Sequence, residues 1–477
     1  MVEPLGLEYL GGAIADIADV RIHDMRIDPT PLSDVLRRFS PDVVGLRQNY
    51  MVDADSVKEV AREVKEIAPD VPVVVGGHHV SLCPEDAFSP DVDAIVVGEG
   101  EWTFRRMVQQ LQTSCRLDTA GVIHRTRSGE YDRSNIEVVA KSALKQFDSP
   151  TMNERPQPAR HLVDHYRPDY YFLYHERPYS IEMARGCVYR CNFCSVHEFF
   201  NGTFRVQGNN RTLDELASLP PNSWINVVDD LAIQEPPGAV RRHNPNAPDP
   251  MEQLADQIIQ MNLGHRYWMQ VRADNVVRNP RKFEKWAEAG LDTTLIGLES
   301  FDQSDLNSVS KGTKSDDNQK AIEILHSFGV RIWGAVIIFQ DWSEHNFENL
   351  KRKVHEYNIE FPQFTILTPL PGTGQWTTTE HKLVTKAHQF FDFLHSVLPT
   401  RLSPQRFYEE YAALWRTVGG GGVSRAKKML KEVSTTRRSV ARFLGQYGTL
   451  SALPTYRTGI QLLEKSLAAR PRGHSPA

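Results

Sequence analysis

The stretch Arg185-Gly186-Cys187-Val188-Tyr189-Arg190-Cys191-Asn192-Phe193-Cys194 follows directly on a short apolar run, Tyr179–Met183. Three cysteines at C-x₃-C-x₂-C spacing form a ligand set. Their thiolates can take three irons of a [4Fe–4S] cluster and leave the fourth iron open. A structural zinc site closes with four ligands, so zinc would need His197 to complete a Cys₃His set. The position directly after a strand favours the iron–sulfur reading. The chain has 5 cysteines, an odd number, three of them in this one segment. That usage fits a reducing compartment and a cofactor better than a disulfide framework. Cys83 and Cys115 are left over and are expected to be dispensable.

On the C-terminal side of the cysteines, apolar runs alternate with helical patterns. The expected strands are Tyr179–Met183, Trp224–Val228, Tyr267–Val271, Thr293–Gly297, Val330–Phe339 and Gln363–Leu367. The expected helices are Thr212–Leu219, Met251–Met261, Lys282–Ala289, Asn318–Phe328 and Glu344–Tyr357, the first opened by a capping box, Thr212-Leu213-Asp214-Glu215. Six strand–helix units predict a (β/α)6 partial TIM barrel over 179–376, with chemistry at the carboxyl ends of the strands. Gln234–Pro250 carries five prolines. It is expected to be a long loop at the end of the second strand, where a substrate lid would sit. Residues 377–477 read as a C-terminal helical region. In it, Ser424–Tyr447 sets Met429, Leu430, Val433, Val440, Phe443, Leu444 and Tyr447 near one face and Lys427, Lys428, Lys431, Arg437, Arg438 and Arg442 opposite. Such a helix either packs on the barrel or meets anionic headgroups.

On the N-terminal side, the runs Val20–Asp24, Asp42–Leu46, Pro72–Gly77 and Asp93–Gly98 alternate with helices Pro31–Phe39 and Ser56–Ile67. The class is α/β, and this part reads as a doubly wound, Rossmann-like parallel sheet over 1–140, which binds ligands at its carboxyl edge. Gly76-Gly77-His78-His79 and Gly98-Glu99-Gly100-Glu101 lie at that edge. The chain opens on a helix, Leu5–Ile17, with no strand before it. A central strand is therefore expected upstream, or this copy of the domain is damaged. Residues 118–135 read as a hairpin turning at Arg127-Ser128-Gly129-Glu130, and 141–178, rich in proline and without a period, as a linker.

The 477 residues suggest about three domains. With 40% apolar and 24% charged residues the chain is globular, and a net charge of -5 gives no basic field for nucleic acid. No apolar run reaches the ~20 residues of a bilayer span. Met1-Val2-Glu3-Pro4 lacks the basic and apolar regions of a signal peptide. These features together predict a cytoplasmic enzyme of several domains.

The cysteine stretch, with Phe193 before the last Cys, resembles the radical S-adenosylmethionine superfamily. The resemblance implies that Cys187, Cys191 and Cys194 hold a [4Fe–4S] cluster whose open iron binds S-adenosylmethionine and cleaves it to a 5′-deoxyadenosyl radical. It also implies cofactor roles, in order along the strands. Asp229 and Asp230 would lie in the methionine-binding turn, Arg272 would pair with the methionine carboxylate, and Glu299 would accept from the ribose. Gly334 and Pro371, in Thr368-Pro369-Leu370-Pro371-Gly372-Thr373, would lie near the adenine. An external donor of the flavodoxin or ferredoxin type would reduce the cluster. Gly76, Gly77, His78, Gly98 and Glu99 ahead of that domain resemble the cobalamin-binding class. No Asp-x-His-x-x-Gly occurs, so the resemblance implies cobalamin without a histidine ligand, with Asn49 and Tyr50 below the corrin. Glu3–Leu7, Val43–Tyr50, Val227–Asp230 and His395–Leu402 resemble the hopanoid C-3 methyltransferase group. That group implies methylation of an unactivated carbon of a lipid, with the C-terminal basic helix at a membrane surface. An oxidative cyclisation with the same cofactors, and a non-enzymatic iron–sulfur or cobalamin sensor, are the alternatives.

Overall fold

The computed structural model describes residues 1–114, 117–132, 152–234, 249–419 and 437–469. Among these the strands are, in chain order, β1 (Val44–Arg47), β2 (Val73–Gly76), β3 (Ala94–Val96), β4 (Val122–His124), β5 (Tyr171–Phe172), β6 (His175–Glu176), β7 (Tyr179–Ile181), β8 (Ala184–Gly186), β9 (Phe204–Val206), β10 (Trp224–Val227), β11 (Arg266–Arg272), β12 (Leu291–Glu299), β13 (Arg331–Ile338) and β14 (Gln363–Ile366). The chain forms two compact units: Met1–Tyr170 with Ala184–Val188 and Ser195–Arg211, and Tyr171–Met183 with Tyr189–Cys194 and Thr212–Ala477.

In the first unit β1, β2 and β3 run parallel and β4 closes the edge antiparallel, in the order β1-β2-β3-β4. Val73, Val74 and Val75 of β2 are buried to 2% or less, as a strand covered on both faces requires. Leu32, Leu36, Val57, Ala61 and Val64, from the helices Leu32–Phe39 and Ala54–Ile67, cover one face. Met107, from Gly100–Ser114, covers the other.

The structure corrects several expectations here. Val20–Asp24 is not a strand. Among the described residues no strand lies beside it, and a strand's backbone groups need partners. Ile22 packs instead against Val163, Tyr166 and Tyr170, and Asp24 is held by Arg26 and the Tyr170 hydroxyl. The first helix ends at Ile14. The hairpin at 118–135 shrinks to a bridge between Arg125 and Tyr131, because β4 pairs with β3 instead; 133–135 lie outside the described residues. In the linker, 141–151 lie outside them too, while Arg160–Asp169 is a packed 3₁₀ helix whose Arg160 and Arg167 reach Glu3 at 3.0 and 2.5 Å.

The second unit is a six-stranded, all-parallel sheet in the order β7-β10-β11-β12-β13-β14. All six barrel strands stand where the apolar runs put them, within about two residues. Ile225, Val227, Tyr267, Met269, Val271, Ile296, Leu298, Ile332, Val336, Phe364 and Ile366 point into the helix layer. The opposite face begins with aromatics. Phe172, at the tip of the β5–β6 hairpin, meets Trp224, Trp268 and Trp333 at ring separations of 5.3, 5.0 and 5.5 Å, and His175 stacks on Trp224. The last residues of the supposed linker therefore plug the amino-terminal end of this inner face.

The helix expected at Thr212 begins at Asn209, so Thr212 is buried inside it and not at its start. After Thr377 the chain is not uniformly helical. Residues 383–403 are mostly irregular, because the Asp392 carboxylate accepts from the Leu394 and His395 amides and Phe393 turns at φ 63°. Its carbonyl accepts from Ile366 at the sheet edge. Of the loop Gln234–Pro250, 235–248 lie outside the described residues, and Asp249 caps the helix Pro250–Met261. Of Ser424–Tyr447, 424–436 lie outside them, and the helix Arg437–Leu450 follows. Cys115 is also outside. Among the described residues no helix is long and apolar enough to cross a membrane.

Candidate functional site

In the first unit the candidate cobalamin residues gather at the carboxyl end of β1–β3. Gly77 turns the chain at φ 129°, and a Cβ there would stand 2.5 Å from Asn49 Oδ1 and 2.6 Å from the Gln48 carbonyl. Only glycine tolerates both constraints. Asn49 Oδ1 accepts from the His78 amide at 3.3 Å. Gly98 turns at φ 84° and its amide donates to Ser81 Oγ, whose hydroxyl bonds the Gly77 carbonyl. Gly76 has room for a side chain. Tyr50 is exposed. His78 stacks on Phe199 at 4.5 Å and its Nε2 lies 2.9 Å from Ser195 Oγ. Burial, with His79 beside it, pushes its pKa down to about 4. Beneath these turns lies a residue that the sequence did not single out. Gln48 is fully buried, and neither its amide oxygen nor its amide nitrogen has a partner among the described residues. Such groups call for an unseen one.

Glu99 has a different task from the one expected. Its carboxylate pairs with Arg185 of β8 at 3.1 Å and with Arg205 of β9, while Glu101 takes Arg185 at 2.6 Å. Burial alone would raise the Glu101 pKa, but Arg185 and Arg155 outweigh it and hold it below the usual carboxylate value. The two glutamates therefore grip both strands of an antiparallel hairpin. The segment 187–203 is the loop of that hairpin. It does not spring straight from the barrel strand, since β8 intervenes. Gly186 at φ 90° allows the departure, where a Cβ would run into the Thr203 carbonyl.

In the second unit, Asn192 is clamped by three bonds. Its amide donates to the Val309 carbonyl (3.2 Å), its Nδ2 to the Ser308 carbonyl (2.9 Å), and its carbonyl accepts from Gln375 (2.8 Å). Cys191 and Cys194 flank it, joined by a bond from the Cys194 amide to the Cys191 carbonyl. Phe193 packs against the apolar core. Arg272 ends β11 and is buried. Its Nε donates to Asp274 (3.0 Å), its Nη2 to the Lys311 carbonyl (2.8 Å), and its Nη1 to Cys191 Sγ (3.5 Å), over the Tyr189 ring at 3.7 Å. Burial would lower its pKa; Asp274, Cys191 and Tyr189 together hold it above the ordinary value.

Glu299 ends β12 at φ 56° and pairs with Lys311 at 2.6 Å, both buried. A Cβ on Gly297 would stand 2.6 Å from that carboxylate and 2.7 Å from that ammonium. Asp229 accepts from the Met183 amide at 2.8 Å, tying β10 to the end of β7. Asp230 is half-buried beside it. Pro371 is buried in a turn that ends at Thr373, the cap of the helix Gly374–Thr379. Gly334 faces away from the inner face. A Cβ there would meet Leu298 and Ile359 at 2.9 and 3.0 Å, so close packing accounts for it. Lys311 and Tyr189 carry no local signal and are revealed only by long-range pairing, while Gln48 is revealed only by its burial.

Among the described residues no three His, Cys, Asp or Glu side chains meet as a metal-ion site. What the loop offers is a donor set. Cys187, Cys191 and Cys194 are half-buried and in no disulfide, and their chemistry fits a cluster that itself gathers thiolates. The Cys83 thiol is pushed up to about 12 by burial and is inert by comparison. The buried Gln48 amide and the turn at Gly77 fit a corrin, which carries amide groups of its own.

These two sites define the class, a radical S-adenosylmethionine sheet preceded by a B12-binding sheet. Residues 1–108 match the B12 binding domain family and residues 181–354 the Radical SAM superfamily. The chain thus carries a B12-binding domain followed by a Radical SAM domain. It is 28% identical to the hopanoid C-3 methylase of Methylococcus capsulatus over 86% of this chain and 75% of that one. It is also 28% identical to an uncharacterized methyltransferase of Pyrococcus horikoshii, over 78% and 77% of the two chains. Identity is 23% to the anaerobic magnesium-protoporphyrin IX monomethyl ester cyclase of Rubrivivax gelatinosus, over 82% and 68%. Among solved structures, the methyltransferase TsrM of Kitasatospora setae with cobalamin and a [4Fe–4S] cluster shares the fold, with a TM-score of 0.64, 15% identity and coverage of 98% and 97%. The cobalamin-dependent radical enzyme OxsB gives 0.67, 18%, 94% and 70%.

Proposed function

We propose that the protein is a cobalamin-dependent radical S-adenosylmethionine methyltransferase acting on an unactivated carbon of a hopanoid-like lipid. The observation that carries this reading is the presence, in one chain, of a sheet edge with an unsatisfied buried amide at Gln48 and a loop of three cysteines that form no disulfide. When bound, the cluster with S-adenosylmethionine supplies a hydrogen-abstracting radical, and cobalamin supplies the methyl group.

The chain's own residues bind, orient and exclude water. Cys187, Cys191 and Cys194 hold the cluster. Gly76, Gly77, His78, Gly98 and Gln48 receive the cobalamin, with Asn49 bracing the turn. Phe193, Asp230, Glu299 and Pro371 position S-adenosylmethionine. Lys311 fixes the Glu299 carboxylate at the strand end, and the Phe172–tryptophan plug closes the inner face against water. A flavodoxin- or ferredoxin-type donor reduces the cluster, and the sequence of Ser424–Tyr447 supplies basic residues for anionic lipid.

Reconstituted protein with methyl-labelled S-adenosylmethionine, a reductant and a desmethyl hopanoid should yield labelled product together with 5′-deoxyadenosine. Product formed without label would favour the second reading, an oxidative cyclisation, which the cyclase likeness supports. Anionic vesicles should pull the protein down at low salt and release it at high salt. A Lys427, Lys428 and Lys431 triple alanine variant should lose that binding and keep S-adenosylmethionine cleavage.

A further inference from the structure

We propose that Arg272 is a positioning residue for the iron–sulfur cluster, whose guanidinium, held against the Cys191 sulfur, raises the cluster's reduction potential. The inference rests on the reading that Cys191 is a cluster ligand. A guanidinium at a strand end invites assignment as a carboxylate clamp, which needs a free fork. Here each of the three nitrogens already donates one hydrogen bond, to Asp274, the Lys311 carbonyl and the Cys191 sulfur, which leaves two of the five N–H groups, and Tyr189 covers one face of the group. Tyr189 is itself fixed. Its hydroxyl bonds the buried Asn275 side chain at 2.8 Å, and Arg278 bonds both that hydroxyl and Asp274. The direction of the guanidinium is thus set before any ligand arrives.

Arginine stays charged at every working pH. A fixed cation beside a ligand sulfur favours the state that carries the extra electron, and hydrogen bonds to sulfur act in the same sense. Asp274 shares the guanidinium and offsets part of its charge. The two residues therefore make opposite predictions. R272Q should make the cluster harder to reduce, and D274N easier.

The measurement is a dithionite titration of the reconstituted full chain without S-adenosylmethionine, read from the electron paramagnetic resonance signal of the reduced cluster. In R272Q the reduced-to-oxidised ratio at a fixed potential should fall about tenfold or more, each decade being 59 mV for one electron. R272K should lie between that variant and the parent, and D274N should shift the other way. Iron content and thermal melts establish that each variant is folded and loaded. An R272Q variant with full iron content and an unchanged potential overturns the inference, as does weakened S-adenosylmethionine binding with the potential untouched, which is the signature of a clamp. If R272Q assembles no cluster, D274N decides alone, and an unchanged or lowered potential there overturns the inference. A parent protein that takes up no [4Fe–4S] cluster fails at the earlier step, the ligand reading itself.

Discussion

Gly77 shows how much one residue can be asked to do. Its backbone occupies a region that side chains rarely enter, and a Cβ would also strike Asn49 and the Gln48 carbonyl. Gly77→Ala should cost about 1–3 kcal/mol, the usual toll of a strained backbone, and should dislodge the turn that abuts Gln48. Denaturant unfolding measures the first effect and cobalamin retained after desalting the second. Full retention in the variant would detach the turn from the cofactor. Gly77 and the three cysteines stand out in the sequence as candidates because each has a local signal, one its place after a strand, the others their spacing. Lys311 and Tyr189 were not legible. Nothing near Lys311 in sequence says that it will meet Glu299, and nothing near Tyr189 says that Arg272 will lie over its ring. The family resemblance puts Asp229 in a methionine-binding turn, and its carboxylate also ties two strands together. An acid at such an edge has two possible uses, and the pattern of residues does not choose between them.

Elements were read best where burial is complete. The six parallel strands are continuous apolar runs because both faces are covered, so they stand out from their flanks. Val20–Asp24 carries a similar signal but finds no neighbour to bond, and pairing decides whether an apolar run becomes a strand. The hairpin β8–β9 went unread for a related reason. Its strands have three residues each and are held less by pattern than by charge, through Glu99 and Glu101 on Arg185 and Arg205. That grip is testable. Glu99→Gln removes the charge that two guanidinium groups share, and hydrogen bonds to charged groups typically contribute about 1.5–3 kcal/mol. The hairpin should loosen, and a reconstituted cluster should lose iron to a chelator faster than in the parent. An unchanged rate of loss would mean that the glutamates brace the hairpin without governing the cysteine loop.

At the scale of the whole molecule, stability is squeezed from both ends of the pH range by groups buried in the wrong charge state for water. His175, stacked on Trp224, has its pKa pushed down to about 3 by burial, and His78 to about 4. An unfolded histidine titrates near 6.5. Between that value and the folded one the unfolded chain binds more protons, so stability falls as pH drops from about 6.5 toward 4 and 3. Glu8 works in the opposite sense. Burial first, and the neighbouring Glu3 second, lift its pKa to about 8 against the pull of Arg160 and Arg167. The folded state therefore keeps a proton that the unfolded carboxyl sheds above about 4.3. Stability from this group is complete below that value and drains away as pH rises to about 8. His175 and Glu8 belong to different units, and their contributions separate by mutation. His175→Phe keeps an aromatic ring on Trp224 and removes the titration, so thermal midpoints of the apo-protein should fall less steeply between pH 6.5 and 4. Glu8→Gln keeps the shape and removes the buried acid, so the decline between pH 5 and 8 should flatten while the acid limb stays. An acid limb unchanged in His175→Phe would mean that this imidazole is not held neutral in the fold, and the burial argument for it would fall.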